Sequence, residues 1–286
     1  MTPYKAVLTI AGSDSSGGAG IQADIKTISA IGCYAASVIT SLTAQNTLGV
    51  QKVEKISADF IYQQLESVLT DIHFDAIKIG MIQHAENAAV IISCIQKFHP
   101  KNIVIDPVMV SKNGCLLMDA DAVPVLTSTL FPCAILVTPN IPEAEKLLNK
   151  KIDSLEDMKM AAFDLSNIAK TSILLKGGHL KDVDSPDVLY LFSEKKFYFF
   201  NTKRIDTKNT HGTGCTYSSA IAAYLAHGYS LVEAVSAAKN YIFQAILSGS
   251  KRLLGRGYGP VHHFYERNNR ACAGMTRTLE VEPNDI

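Results

Sequence analysis

Residues 207–224, Thr-Lys-Asn-Thr-His-Gly-Thr-Gly-Cys-Thr-Tyr-Ser-Ser-Ala-Ile-Ala-Ala-Tyr, carry the strongest chemical signal in the chain. Gly212 and Gly214 stand just before an Ala/Ser-rich helical stretch that runs to about His227 and stops at Gly228. Glycines there let the backbone N–H groups of the first turn converge on one point. The helix dipole adds positive potential, so the segment forms an anion site. Cys215 falls in that first turn, where the same field favours a thiolate. A phosphate cradle beside a candidate base suggests phosphoryl transfer. The competing reading of a Gly-x-Gly taken alone is a plain turn.

Other residues able to do chemistry recur where strands should end, which is where ligands gather in parallel α/β sheets. They are Gly12, Gln45, Met81, Asp106, Asn140 and Lys176. Asp106, and Asn140 with Glu143 at the next strand–helix junction, offer oxygen ligands to Mg²⁺ directly or through water. Taken singly, Asp106 reads equally as a turn cap before Pro107 and Asn140 as a helix cap. Lys176 closes an apolar strand ahead of two glycines and suits a nucleotide phosphate, or snorkels to solvent. Gln45 both donates and accepts, which matches a heteroaromatic edge carrying adjacent N and NH₂ groups. Gly18-Ala-Gly20 approaches a dinucleotide-binding fingerprint, but the extra polar loop before it fits a substrate-enclosing loop as well. The pair His262-His263 has no partner at metal spacing and reads as surface, and 197–200 reads as strand core.

The elements that must position these groups follow from periodicity and caps. Residues 5–11 form a strand, followed by a helix whose apolar face is Ile21, Ile25, Ile28 and Ile31. Strands follow at 34–43, 75–80, 102–106, 134–138 and 172–176, with an antiparallel pair at 187–192 and 196–200. Between them lie a helix capped by Ser57 and running to about Asp71, another over about 85–98, and one with Pro142 in its first turn. Capping patterns Ser154-x-x-Asp157 and Ser230-x-x-Glu233 open helices to about Lys170 and Leu247. This alternation predicts an α/β fold, a mostly parallel central sheet with helices on both faces. No repeat or linker divides it, so residues 1–265 are expected to form a single domain and 266–286 a flexible tail.

Composition narrows the function classes. Of 286 residues 47% are hydrophobic and 19% charged, and Lys plus Arg equals Asp plus Glu at 27 each. That balance argues against nucleic acid and anionic membrane as partners. The start of the chain turns polar too quickly for a signal peptide, and no stretch approaches membrane-spanning length. Cysteines at 33, 94, 115, 133, 215 and 272 form no Cys-x-x-Cys pair, as expected of a reduced cytoplasmic protein.

Seven segments together resemble the hydroxymethylpyrimidine/phosphomethylpyrimidine kinases, the thiamin-synthesis branch of the ribokinase-like superfamily. They are Ile10-Ala-Gly-Ser-Asp-Ser-Ser-Gly-Gly-Ala-Gly-Ile-Gln-Ala-Asp24, Thr43-Ala-Gln-Asn-Thr47, Lys78-Ile-Gly-Met81, Ile105-Asp-Pro-Val-Met109, Val137-Thr-Pro-Asn-Ile-Pro-Glu143, Leu175-Lys-Gly-Gly-His179 and His211-Gly-Thr-Gly-Cys215. The resemblance covers about residues 4–265. It implies a ribokinase-like domain that uses Mg-ATP to phosphorylate 4-amino-5-hydroxymethyl-2-methylpyrimidine and then its monophosphate. By this resemblance Gly12, Asp24, Gln45, Met81 and Val108 line the pyrimidine pocket. Gly212, Thr213 and Gly214 form the anion hole and Asp106 with Glu143 serves Mg²⁺, while Lys176 and Asn140 are expected from their own strand-end positions to serve the nucleotide. A homodimer is implied as well.

The wider superfamily usually carries Asp where this branch, and this chain, carry Cys215. The expected mechanism is in-line attack of the hydroxymethyl oxygen on the γ-phosphorus, with Cys215 as a partial thiolate taking the proton. Cys115, where the family often has a polar or acidic residue, is given no role. The nearest rival is a pyridoxine or pyridoxal kinase on the same fold, which lacks the need for the donor–acceptor pair of Gln45. A non-catalytic pyrimidine-binding protein would not require the carboxylates, Lys176 and the glycines together. A dinucleotide-dependent oxidoreductase rests on the N-terminal glycines alone.

Overall fold

In the computed structural model, which describes residues 2–110, 117–180 and 184–266, the described residues join nine strands in one sheet. The chain runs β1 (Ala6–Asp14), α1 (Gly20–Ala30), β2 (Tyr34–Asn46), β3 (Gly49–Lys55), α2 (Ala58–Asp71), β4 (Ala76–Ile79), α3 (Ala85–Phe98) and β5 (Ile103–Ile105). It continues as α4 (Ala122–Val125), β6 (Leu136–Val137), α5 (Ile141–Leu148), α6 (Leu155–Ala169) and β7 (Ser172–Lys176). Last come β8 (Asp187–Leu191), β9 (Lys196–Phe200), α7 (Thr213–Ala226) and α8 (Leu231–Gly249). The sheet order is β3-β2-β1-β4-β5-β6-β7-β8-β9. Strands β2 to β7 pair in parallel, while β3, β8 and β9 are antiparallel additions at the two edges.

Successive residues of the central strands face opposite cores, so these strands read as unbroken apolar runs. Leu8, Ile10, Ile77, Ile79, Ile103 and Ile105 pack against α2, α3 and α6 through Ile61, Leu65, Ile91 and Leu165. Val7, Ala76, Val104, Leu136 and Leu174 pack on the other side against Ile28, Ile221, Val235 and Ile242. Small side chains at Ala220, Ala222 and Ala223, all fully buried, let α7 lie directly on the sheet and against α8. That close approach brings the N-terminus of α7 to the ends of the central strands.

Five expectations need correction or fall outside the described residues. β2 extends to Asn46 and returns as β3, so Gln45 sits near the tip of a hairpin rather than at a simple strand end. His263 is buried, not surface: its Nε2 lies 3.1 Å from Thr216 Oγ1, and the Tyr241 hydroxyl donates to its carbonyl. Burial pushes its imidazole down to about 4. Residues 111–116, with Cys115, and the tail from 267 onward lie outside the described residues. Of 197–200, Phe197 packs on Tyr190 with ring centroids 4.8 Å apart, but Phe199 faces outward. Among the described residues no helix is long and apolar enough to cross a membrane.

Candidate active site

A cavity of about 740 Å³ opens at the carboxyl ends of the parallel strands. It gathers Gly12, Gln45, Met81, Val108, Asp106, Asn140, Glu143, Lys176, Gly212, Thr213, Gly214 and Cys215 along its wall. One residue expected among them is elsewhere. Asp24 is fully buried on the inner side of α1, with one oxygen 2.8 Å from the equally buried Lys78 ammonium. Thr9 and Ser219 hydroxyls donate to the same carboxylate at 2.6 and 2.8 Å. An ammonium buried this deeply requires a partnered carboxylate, so Asp24 is held by Lys78 and does not line the cavity.

Gly212 caps α7 in the left-handed region at φ +77, and a Cβ on it would lie 1.8 Å from the Gly18 carbonyl oxygen. No side chain caps this helix; the Thr213 N–H donates to the Thr210 carbonyl at 3.4 Å, but no internal anion sits at its first turn among the described residues. Gly214 brings that turn down onto an ion pair. A Cβ there would stand 3.3 Å from Asp106 Oδ2 and 3.4 Å from Lys176 Nζ. Lys176 Nζ is 2.6 Å from Asp106 Oδ1. Burial pulls the Lys176 ammonium down, but Asp106 and Glu143 outweigh it and hold its pKa above the ordinary value.

Glu143 closes a capping box with Asn140: the Asn140 N–H donates to Glu143 Oε2 at 2.8 Å, and the Glu143 N–H donates to Asn140 Oδ1 at 2.9 Å. Both residues therefore build the start of α5 as well as the cavity wall. Burial pushes the Glu143 carboxyl up to about 7, against the pull of Lys176. Among the described residues no three His, Cys, Asp or Glu side chains group as a metal cage. Asp106 and Glu143 supply hard oxygens of the kind Mg²⁺ takes when phosphates and waters complete its shell, so the residues fit that ion.

Burial opposes the expected partial thiolate at Cys215. Burial pushes the thiol up to about 11, although Lys78 pulls the other way. Ionising such a thiol at pH 7 costs about 5 kcal/mol. General-base assistance is worth roughly 10²–10⁴-fold, no more than this cost.

The N-terminal glycine loop behaves differently from the loop at α7. Asp14 accepts the N–H groups of Ser16, Gly18 and Ala19 at 2.8, 3.1 and 2.8 Å. His211 Nε2 lies 2.8 Å from Asp14 Oδ2. Burial would raise the Asp14 carboxyl, but His211 and the loop donors hold it down at about 2. The loop is thus folded around its own carboxylate, which removes the dinucleotide reading. Asp14, His211 and Lys78 were not singled out in the sequence, although each lies inside a recognised segment. Their partners stand 197 and 54 residues away, a separation no local pattern reveals.

Comparison with known proteins bears on the family and the fold. A family profile described as phosphomethylpyrimidine kinase matches residues 14–262. The chain is 47% identical over 259 residues to the hydroxymethylpyrimidine/phosphomethylpyrimidine kinase of Rhizobium meliloti (strain 1021), covering 90% of this chain and 96% of that protein. It is 50% identical over 262 residues to the thiamine biosynthesis bifunctional protein ThiED of Geobacter sulfurreducens, covering 92% of this chain but only 53% of that longer protein. Among solved structures, the phosphomethylpyrimidine kinase of Clostridium difficile 630 superposes with a TM-score of 0.75 at 45% identity, covering 85% of this chain and 99% of that one. An ADP complex of Bacillus subtilis pyridoxal kinase superposes with a TM-score of 0.85 at 36% identity, covering 93% and 99%. The fold is therefore ribokinase-like.

Proposed function

The chain belongs to the phosphomethylpyrimidine kinase family, and on that premise we propose that it phosphorylates 4-amino-5-hydroxymethyl-2-methylpyrimidine from ATP and then phosphorylates the monophosphate, in thiamin synthesis. The observation that carries this reading is the uncapped start of α7 resting at Gly214 on the Asp106–Lys176 pair, with Gln45 on the wall of the same cavity.

The hydroxymethyl oxygen attacks the γ-phosphorus in line, the bond to the β-phosphate oxygen breaks, ADP leaves, and the hydroxyl proton passes to an oxygen of the transferred phosphoryl group and from there to water. N–H groups of Gly212, Gly214 and Cys215 stabilise the charge that develops on the transferred group, while the Thr213 N–H, also expected there, is donated to the Thr210 carbonyl at 3.4 Å. Lys176 offsets phosphate charge, and its pairing with Asp106 keeps it aimed at the cavity. Asp106 and Glu143 would hold Mg²⁺, which supplies neutralisation of phosphate charge when bound. Gly12 keeps the substrate wall thin: a Cβ there would lie 2.8 Å from Ser41 Oγ and 3.3 Å from the Met81 sulfur. Val108 and Met81 supply apolar ring contacts, and Gln45 reads the aminopyrimidine edge. Cys215 contributes its backbone N–H and its shape, with its thiol pushed up to about 11 by burial.

The same proposal makes the protein a cytoplasmic homodimer with one kinase domain over 1–265. Free thiols at Cys33, Cys94, Cys133 and Cys215 support a reducing compartment, and the dimer rests on family resemblance. A second reading, pyridoxal kinase, is favoured by the Bacillus subtilis superposition at a TM-score of 0.85. Initial rates of ATP turnover with the pyrimidine alcohol, its monophosphate, pyridoxine and pyridoxal decide between them. We expect kcat/KM for the two pyrimidines to exceed that for the vitamers by more than about 100-fold, because Gln45 is left unpaired by the wrong ring. Equal or reversed preference would replace the first reading with the second.

A further inference from the structure

We propose that His211 and Asp14 fix the side-chain amide of Gln45 in one orientation, and that this orientation decides which end of the pyrimidine faces Gly212. The inference rests on the reading of Gln45 as the residue that meets the acceptor substrate.

His211 Nε2 lies 2.8 Å from Asp14 Oδ2 and 3.3 Å from the amide end of Gln45 drawn as Nε2. Asp14 already accepts N–H groups from Ser16, Gly18 and Ala19, so it is a carboxylate and can only accept. The proton between His211 and Asp14 is therefore on His211 Nε2. An amide nitrogen beside that N–H would set donor against donor.

The oxygen and NH₂ ends of an amide have nearly the same shape, so the surrounding network decides between them. Thr43 Oγ1 lies 3.1 Å from the other end of the Gln45 amide and 3.0 Å from the Ser13 carbonyl oxygen. With the oxygen of Gln45 toward His211, every donor meets an acceptor. His211 N–H donates to Asp14 and shares with the Gln45 oxygen, the Gln45 NH₂ donates to Thr43 Oγ1, and the Thr43 hydroxyl donates to Ser13. With the amide reversed, the single Thr43 proton is claimed twice and two N–H groups collide. The backbone leaves little other freedom. Ser15 Oγ accepts the Gln45 N–H at 2.9 Å and donates to the Gln45 carbonyl at 2.8 Å.

This orientation places an acceptor on the His211 side of the cavity wall and a donor on the Thr43 side. The substrate edge runs ring nitrogen, amino group, hydroxymethyl group. The amino group donates to the oxygen on the His211 side, and the ring nitrogen accepts from the NH₂ on the Thr43 side. The hydroxymethyl group, next beyond the amino group, then falls toward Gly212 and the start of α7. A reversed amide would bind the ring turned over and direct the hydroxymethyl group away from the reacting end. His211 and Asp14 are thus positioning residues for substrate polarity.

The test is calorimetric binding of 4-amino-5-hydroxymethyl-2-methylpyrimidine against its analogue lacking the 4-amino group, using the full chain. Wild type should prefer the amino compound, and His211→Ala should cut that preference about 10-fold, the loss of one oriented hydrogen bond. His211→Gln, which keeps an N–H near the Nε2 position, should restore it to within about 3-fold, and Thr43→Val should lower it by about 3-fold. In a Gln45→Met background, His211→Ala should change the preference no further, because its effect passes through the amide. Independent, multiplying effects in the double variant would overturn the inference, as would failure of His211→Gln to restore the preference. Thr43→Val and His211→Gln keep the test decisive if the alanine variant does not fold. A wild type that binds neither compound would overturn the kinase reading itself, whereas one that binds the amino compound without preference would overturn only this inference.

Discussion

Two glycine-rich loops approach the same cavity, and both resemble phosphate cradles in the sequence. In the loop after β1, the N–H groups of Ser16, Gly18 and Ala19 converge on the Asp14 carboxylate of the same loop. In the loop before α7, Gly212 opens a helix that no side chain caps. The first loop has its anion built in, and the second lacks one. Glycines make a converging set of donors available, but only the absence of an internal anion leaves it for an anionic ligand. The loops also depend on each other, since the left-handed Gly212 packs against the Gly18 carbonyl and His211 reaches back to Asp14.

The comparison predicts that damage to the second loop abolishes phosphoryl transfer, whereas damage to the first costs stability and substrate orientation. The largest effect is expected for Gly214→Val. Its side chain must enter the space now 3.3 Å from Asp106 Oδ2, displacing the ion pair beneath the anion site. Single-turnover rates of both phosphoryl transfers should fall at least about 10³-fold, a larger loss than any fall in the folded fraction explains.

Asp14→Asn should act in the opposite sense. The Asp14 carboxyl is held at about 2, below its ordinary 3.8, so its stabilisation is present above 3.8 and is lost as pH falls through 2. Its contribution at neutral pH is about 2 kcal/mol. Urea unfolding between pH 5 and pH 2 should show that loss in wild type and a flatter profile in the variant.

The sequence made the local part of this arrangement legible. Capping boxes at Ser154–Asp157 and Ser230–Glu233 form as the spacing indicates, because cap and partner lie within one turn. The strand ends and the glycines before α7 were readable for the same reason. Asp24 was misplaced because its partner Lys78 comes from a strand 54 residues away, and burial of both charges is a property of the assembled core. The protonation of Cys215 likewise depends on burial and on the opposed pulls of Lys78, Asp24 and Asp106, which no helix-end rule includes. The β3 edge alternates too weakly, with most of its residues exposed, to announce a hairpin.

A smaller effect is expected at the metal-facing carboxylate. Glu143→Gln preserves the capping box, since Gln also serves at that position. We expect the Mg²⁺ concentration for half-maximal rate to rise about 10-fold, with melting in the absence of Mg²⁺ at pH 7 and above raised rather than lowered. Because the Glu143 carboxyl is raised to about 7 from 4.5, its protonated form favours the fold. Wild-type stability in the absence of Mg²⁺ should therefore fall as pH rises from 4.5 through 7, a slope that the glutamine variant should lack.

The smallest effect is expected for Cys215→Ala, about 10-fold or less and equal for both acceptors, because a protonated thiol gives the alcohol no base. A loss above about 100-fold confined to the first transfer would mean that bound substrates lower the thiol pKa and make Cys215 the base after all.

The most direct measurement is a ³¹P NMR time course of the protein with Mg-ATP and 4-amino-5-hydroxymethyl-2-methylpyrimidine, run beside Gly214→Val. The account predicts that a phosphate monoester appears first and a diphosphate follows, each matched by ADP, with both signals lost together in the variant. ADP formation without either pyrimidine phosphate in wild type, or both products persisting at wild-type rate in Gly214→Val, would contradict it.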